Sequence, residues 1–285
     1  MIQHYDSQQP IGIFDSGVGG LSVLRAIRHE LPNEAILYLG DQAHIPYGPR
    51  TKAQIRKFAT AITRFLLDQG AKLIIVACNT ASAAALHDLR ALFTDVTFVG
   101  MEPAVKPAAE TTQTGKVGVL ATPTTFAGEL YTSVVERFAK DVSLYTNTCP
   151  GLVERIEAGE LDTPEIRVIL EEVLHPMLAE GIDTIVMGCT HYPFVIPLIQ
   201  SITGPDVYTI DPAPAIARQT RRLLEGNSLL NPIEQPVPLR FYTSADPIAF
   251  SAILPVLLGE DGPVTQVAWD QDLTLHALPL ENQTK

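Results

Sequence analysis

One pattern occurs twice in this chain and limits what it can fold into. Gly70 to Thr80 reads GAKLIIVACNT, and Gly181 to His191 reads GIDTIVMGCTH. Gly70 matches Gly181, Ile74 matches Ile185 and Cys78 matches Cys189, all at a single offset. A short apolar, β-branched run between a glycine and a cysteine is the pattern of a buried parallel strand. Each strand ends in a thiol followed by polar residues, Asn79-Thr80 in one copy and Thr190-His191 in the other. The carboxyl ends of such strands are where open α/β sheets bind ligands.

The rest of the chain follows the same duplication. Ile11 to Phe14 is an apolar run. DSGVGG (Asp15 to Gly20) follows, then LSVLRAIRHEL with Leu21, Leu24, Ile27 and Leu31 on one helical face. Ala35 to Leu39 reads as a second strand, with the long polar loop GDQAHIPYGPR after it. A helix over Thr51 to Asp68, the Cys78 strand, a helix over Ala81 to Leu92 and a strand over Val96 to Gly100 complete the first copy. The second copy has strands over Lys116 to Leu120, Val142 to Tyr145 and Val207 to Ile210, besides the Cys189 strand. Its expected helices cover Phe126 to Phe138, Pro164 to Glu180 and Tyr192 to Ile202. Further matches pair Ile11-Gly12-Ile13-Phe14 with Val117-Gly118-Val119-Leu120, Leu37-Tyr38 with Leu144-Tyr145, and Glu102-Pro103-Ala104 with Asp211-Pro212-Ala213. In-register repeats of this kind indicate duplication.

The expected fold class is α/β, with two pseudo-symmetric, flavodoxin-like lobes. Each lobe is a parallel sheet flanked by helices, and if the lobes face each other the active site lies in the cleft between them. The first lobe takes residues 1–103 plus 214–285 and carries Cys78; the second takes 104–213 and carries Cys189. A strand over Arg240 to Thr243 and a helix over Ile248 to Leu258 return the chain to the first lobe. From about Gly262 onward no period is visible.

Charge and cysteine usage exclude several functions. Lys+Arg 20 against Asp+Glu 32 gives a net charge of −12, which argues against nucleic acid or an anionic membrane surface as partner. No apolar run approaches the length of a transmembrane helix, and the N-terminus lacks the features of a signal peptide, so a cytoplasmic location is expected. Three cysteines are too few for a disulfide framework in a chain of 285 residues. Cys189 and His191 have no common zinc spacing and no CxxC occurs, so no metal is expected.

Two equivalent thiols on facing lobes would flank a small ligand from opposite sides. That geometry suits inversion at a carbon centre, with one thiolate removing a proton and the other thiol returning one. The start of a helix just beyond each cysteine would lower its pKa. Cys149, in NTCPG, has no counterpart and reads as structural. Asp15 and Ser16 end the first strand beside the Cys78 strand. The following GVGG resembles an anion-cradling loop that would hold a substrate carboxylate. His191 is placed to polarise Cys189, and Asp15 to do the same for Cys78. A Cys–His hydrolase, a racemase of another amino acid and a two-lobed binding protein remain open on these observations.

DSGVGGLSVL, the loop ending IPYG, the ACNTAS and GCTHYP motifs, and LVE at Leu152 to Glu154 together resemble the glutamate racemases of the cofactor-independent aspartate/glutamate racemase superfamily. The resemblance covers roughly residues 11–258. It implies interconversion of L- and D-glutamate for peptidoglycan synthesis, without a cofactor and in a homodimer. It makes Cys78 and Cys189 the two acid/base thiols, with Asp15, Glu154 and His191 assisting proton transfer. Asp15, Ser16, Tyr47, Gly48, Asn79, Thr80, Thr190 and His191 are implied to bind substrate.

Overall fold

The two cysteine-tipped strands occupy equivalent places in two separate sheets. The computed structural model describes residues 5–233 and 239–279. Strands β1 (Ile11–Asp15), β2 (Ile36–Gly40), β3 (Leu73–Val76) and β4 (Thr97–Gly100) alternate with helices α1 (Leu21–Glu30), α2 (Lys52–Asp68) and α3 (Asn79–Leu92). After α4 (Val105–Thr111) come β5 (Lys116–Ala121), α5 (Pro123–Phe126), α6 (Glu129–Phe138), β6 (Ser143–Asn147), α7 (Leu152–Glu157), α8 (Pro164–Ala179), β7 (Thr184–Gly188), α9 (Ile196–Thr203) and β8 (Tyr208–Ile210). The chain closes with α10 (Ala213–Gly226), β9 (Leu239–Thr243), α11 (Pro247–Leu257), β10 (Val264–Trp269) and β11 (Leu275–Ala277).

The larger sheet has the order β11-β10-β9-β2-β1-β3-β4, and the smaller one β6-β5-β7-β8. The second therefore repeats the β2-β1-β3-β4 order of the first. Pairing is parallel throughout except between β10 and β11. Gly12 lies opposite Ile74 and Gly118 opposite Ile185, so Cys78 and Cys189 leave their sheets at equivalent heights. Elsewhere the ladder corrects the sequence match. Ile11 faces Ile36 and Val117 faces Leu144, so Leu37 corresponds to Tyr145 and not to Leu144. Phe98 is opposite Ile74 and Thr209 opposite Ile185, which sets Gly100, not Glu102, against Asp211. Strand faces alternate residue by residue, so pairing rather than letter identity fixes equivalence.

The helices bury the faces that their spacing indicates. Leu21, Val23, Leu24 and Ile27 of α1 are buried, as are Ala213, Ile216, Ala217, Thr220 and Leu224 of α10, which packs against it. Thr51 caps α2, accepting from Gln54 N–H while the Gln54 side chain reaches back to the cap. The single helix expected over Phe126 to Phe138 is two helices, because Gly128 is extended (φ −78, ψ 139) and caps α6. The expected Tyr192 to Ile202 helix opens with a 3-10 turn, Tyr192–Val195, before α9. The tail that shows no sequence period forms β10 and β11, and these extend the larger sheet.

One apolar core runs through both lobes, joining Val18, Leu24, Ala77 and Met101 with Leu120, Ile185, Tyr192 and Val195. No helix among the described residues is long and apolar enough to cross a membrane.

Candidate active site

Strand β1 ends on Asp15, β3 runs through Ala77 to Cys78, and β7 runs into Cys189. The ends of β3 and β7 meet at one small cavity, and Ser16, next to Asp15, forms part of its wall. Ser16, Pro46, Tyr47, Gly48, Cys78, Asn79, Thr80, Thr122, Val153, Cys189, Thr190 and His191 line it. Its volume is about 30 Å³. That is room for two or three waters at about 10–15 Å³ each.

Cys78 is the N-cap of α3, and its sulfur accepts from Ala81 N–H at 3.4 Å. Asn79 and Thr80 are thus the first residues of a helix. The helix start does not leave Cys78 acidic. Burial and the neighbouring Asp15 carboxylate push the Cys78 thiol well above its usual range, and the Ala81 N–H only partly offsets them. Ser16 Oγ lies 4.0 Å from the sulfur. Asp15 is fully buried. Its Oδ1 accepts from Ser16 N–H at 2.7 Å, and its Oδ2 accepts from Gly20 N–H at 2.6 Å and from Thr190 Oγ at 3.4 Å. Burial raises its pKa, against the opposing pull of His191, Cys78 and the Ser16 N–H.

On the second lobe, Cys189 Sγ lies 3.7 Å from His191 Nδ1, and His191 Nε2 lies 2.7 Å from Glu157 Oε1. Glu157 Oε1 also accepts from Val18 N–H at 2.7 Å, and Oε2 accepts from Gln42 Nε2 at 2.9 Å. Burial alone would lower the His191 pKa, but Cys189 and Glu157 outweigh it and raise it well above the usual imidazole range. Burial likewise works against the Glu157 carboxylate, and bonds from His191, Gln42 and Val18 nonetheless lower its pKa. The pair is therefore imidazolium and carboxylate near neutral pH.

Glu154, to which the resemblance assigns an assisting role, is exposed on α7 and does not line the cavity, and the carboxylate in contact with His191 is that of Glu157, at the end of the same helix. The turn before α7 sets this rotation. Cys149 has φ 45 and Gly151 has φ 82, so Leu152 and Ile156 face the core. The Gly-rich loop cradles two of the protein's own carboxylates. Its N–H groups at Ser16 and Gly20 go to Asp15, and that at Val18 goes to Glu157. A Cβ at Gly17 would overlap Glu157 Oε1, and one at Gly19 would overlap His191 Nδ1. These glycines permit the close approach of the loop to the pair.

The other expected residues meet at the same cavity. Asn79 is 3% exposed, and neither its Oδ1 nor its Nδ2 has a hydrogen-bond partner among the described residues. A buried amide without partners costs stability unless a ligand satisfies it. Thr80 Oγ lies 2.9 Å from Thr122 Oγ of the opposite lobe, and Gly48 O accepts from Thr124 Oγ. The Tyr47 hydroxyl donates to Asp41 Oδ2 at 2.7 Å, and burial followed by the Asp41 charge holds it as a phenol. Asp41 is a buried hub that the sequence reading missed. It also accepts from Ser244 Oγ at 2.7 Å and from Trp269 Nε1 at 2.8 Å, and His44 Nδ1 lies 2.9 Å away. Cys149 is buried away from the cavity lining, and burial first, then Cys189, pushes its thiol up to about 12. No group of three or more His, Cys, Asp or Glu side chains among the described residues is placed to hold a metal ion.

Comparison with known proteins relates this chain to a family. The family model for Asp/Glu/Hydantoin racemase matches residues 11–220. The glutamate racemase of Ectopseudomonas mendocina is 51% identical over 259 residues, covering 90% of this chain and 98% of that protein. The crystal structure of glutamate racemase from Francisella tularensis in complex with D-glutamate superposes with a TM-score of 0.80 at 33% identity, covering 92% of this chain and 98% of that one. The Escherichia coli glutamate racemase, solved with L-glutamate and the activator UDP-MurNAc-ala, gives a TM-score of 0.80 at 32% identity, with 95% and 100% covered.

Proposed function

The chain belongs to the Asp/Glu/Hydantoin racemase family and is an amino-acid racemase, and on that premise we propose that it interconverts L- and D-glutamate with Cys78 and Cys189 as opposed acid/base groups. The observation that carries this reading is one small cavity lined by two thiols, one from each half of a duplicated fold. A tetrahedral α-carbon held between them exposes its proton to one sulfur and its opposite face to the other. One thiolate takes the α-proton and becomes a thiol. The resulting carbanion takes a proton from the second thiol, which becomes a thiolate. The net change is inversion, with no other atom gained or lost.

The α-proton is a very weak acid, so the site must stabilise the carbanion through preorganised, water-excluded groups. Cys78 starts protonated beside Asp15, and the ammonium group of an incoming amino acid would bring the positive charge that favours its thiolate. The His191 imidazolium, held by Glu157, directs positive charge at Cys189. The unpartnered Asn79 amide, with Ser16, Thr80 and Thr190, is proposed to bind the substrate's polar groups. Following the family resemblance, Cys78 acts on D-glutamate and Cys189 on L-glutamate. The D-glutamate is assigned to peptidoglycan synthesis in the cytoplasm, and the active form to a homodimer. The UDP-MurNAc-ala activator of the E. coli relative fits that metabolic role.

The test is purified protein with L-glutamate in D2O and no added cofactor. Optical rotation decays to zero while deuterium appears at the α-carbon. Cys78→Ser and Cys189→Ser each lose most of this activity and keep the parent's circular dichroism. Near-parental turnover by either variant would sink the two-thiol assignment.

A further inference from the structure

Gln42 does not line the cavity, yet it is bonded to the group that holds His191. It opens the short 3-10 turn after β2, in the first lobe. Glu157 belongs to α7, in the second lobe. We propose that Gln42 is a positioning residue, fixing the Glu157 carboxylate so that the second lobe's acid–base unit is completed only by the first lobe. The inference rests on the racemase reading above, in which His191 serves Cys189.

The hydrogen bonds run in one direction. Ala245 N–H donates to Thr243 Oγ at 3.2 Å, and Thr243 Oγ donates to Gln42 Oε1 at 2.9 Å. Gln42 Nε2 then donates to Glu157 Oε2 at 2.9 Å. Thr243 is fully buried. The Glu157 carboxylate, which only accepts, fixes which end of the amide is nitrogen, because a flipped amide would set Oε1 against it. Glu157 Oε1 already serves Val18 N–H and His191 Nε2. Without a donor on Oε2 the carboxylate is held through Oε1 alone. With one, both oxygens are pinned and Oε1 stays in line with the imidazole. Two of the three groups on this carboxylate, Val18 and Gln42, come from the first lobe.

The ionisable groups facing His191 are Cys189 at the end of β7, Glu157 on α7 and Asp15 at the end of β1. Those facing Glu157 are His191, Asp15 and Tyr38. Gln42 adds no charge to this group. It acts by stabilising the ionised form of Glu157, and through it the protonated form of His191.

The experiment compares the parent with Gln42→Leu, similar in size and without either amide function. The His191 imidazole is titrated by NMR, its signal assigned by its loss in His191→Asn, and kcat/KM is followed against pH. The His191 midpoint moves to lower pH in Gln42→Leu. The variant's kcat falls about three- to tenfold on the alkaline side, with KM changed by less than about twofold. Thr243→Val moves the midpoint the same way by less, and Thr243→Ser titrates as the parent does. Coincident His191 titrations in parent and Gln42→Leu, including no titration in either, overturn the proposal. A parent that fails to racemise glutamate would instead overturn the proposed function, and the NMR comparison would still decide the role of Gln42.

Discussion

A buried carboxylate and a buried imidazole 2.7 Å apart each favour the other's charged form. Burying both charges is costly, and the pair survives because every oxygen of Glu157 has a donor. The pH dependence follows from the directions. Glu157 is lowered, so its contribution is complete above the unfolded carboxylate value of about 4.3 and is lost as pH falls through its folded value. His191 is raised, so its contribution is complete below the unfolded imidazole value of about 6.5 and is lost as pH rises through its folded value. The stability difference between the parent and Glu157→Gln, read by urea denaturation, should therefore peak between those two values and shrink on either side. Glu157→Gln should lower kcat about a hundredfold, at the low end for a positioned acid–base group, whereas Glu154→Gln should stay within about twofold. The two thiols were legible because each sits in a local pattern that occurs twice. Glu157 was not, since both glutamates lie in the same six-residue helix and only the backbone turn at Cys149 and Gly151 decides which meets His191.

Helices and strands with clean spacing were readable in the same way; β10 was not. Its sequence VTQVAW buries only Val267 fully, so no alternation marks it as a strand. Its pairing with β9 and β11 supplies what the pattern lacks. This strand, second from the edge of the sheet, nonetheless reaches the loop after β2. Trp269 donates to Asp41 at 2.8 Å and packs edge-on to His44 and Phe58, with ring centroids 5.0 and 5.5 Å away. Asp41 in turn orients Tyr47. Trp269→Phe keeps the ring and removes the donor, leaving a buried carboxylate short of one bond. The expected loss is about 1–2 kcal/mol in urea denaturation, with KM for glutamate raised a few-fold and kcat little changed. An unchanged KM would show that the tail supports the sheet and not the loop.

Across the whole molecule, the lobes are joined over the cavity by Thr80–Thr122, Gly48–Thr124, Ser22–Thr190 and the two first-lobe donors on Glu157. A cavity of about 30 Å³ is too small for an amino acid, and the contact that lies on its own wall is Thr80–Thr122. Thr80 and Thr122 hydroxyls lie 2.9 Å apart, so a disulfide from Thr80→Cys with Thr122→Cys should lock the lobes. Oxidation should abolish turnover in that variant and dithiothreitol restore it, with the parent carried through the same oxidation as control. Full activity in the oxidised variant would mean that substrate enters without separation of the lobes. The duplication brings two thiols to one cavity, but it does not give them equal surroundings: Asp15 and Ser16 attend Cys78, while His191 attends Cys189. L- and D-glutamate have the same free energy in water, so for a glutamate racemase kcat/KM must be identical in the two directions however unlike the two halves become. Any inequality between the thiols can only shift kcat and KM together, so that the direction with the faster turnover is also the one that saturates at higher substrate concentration.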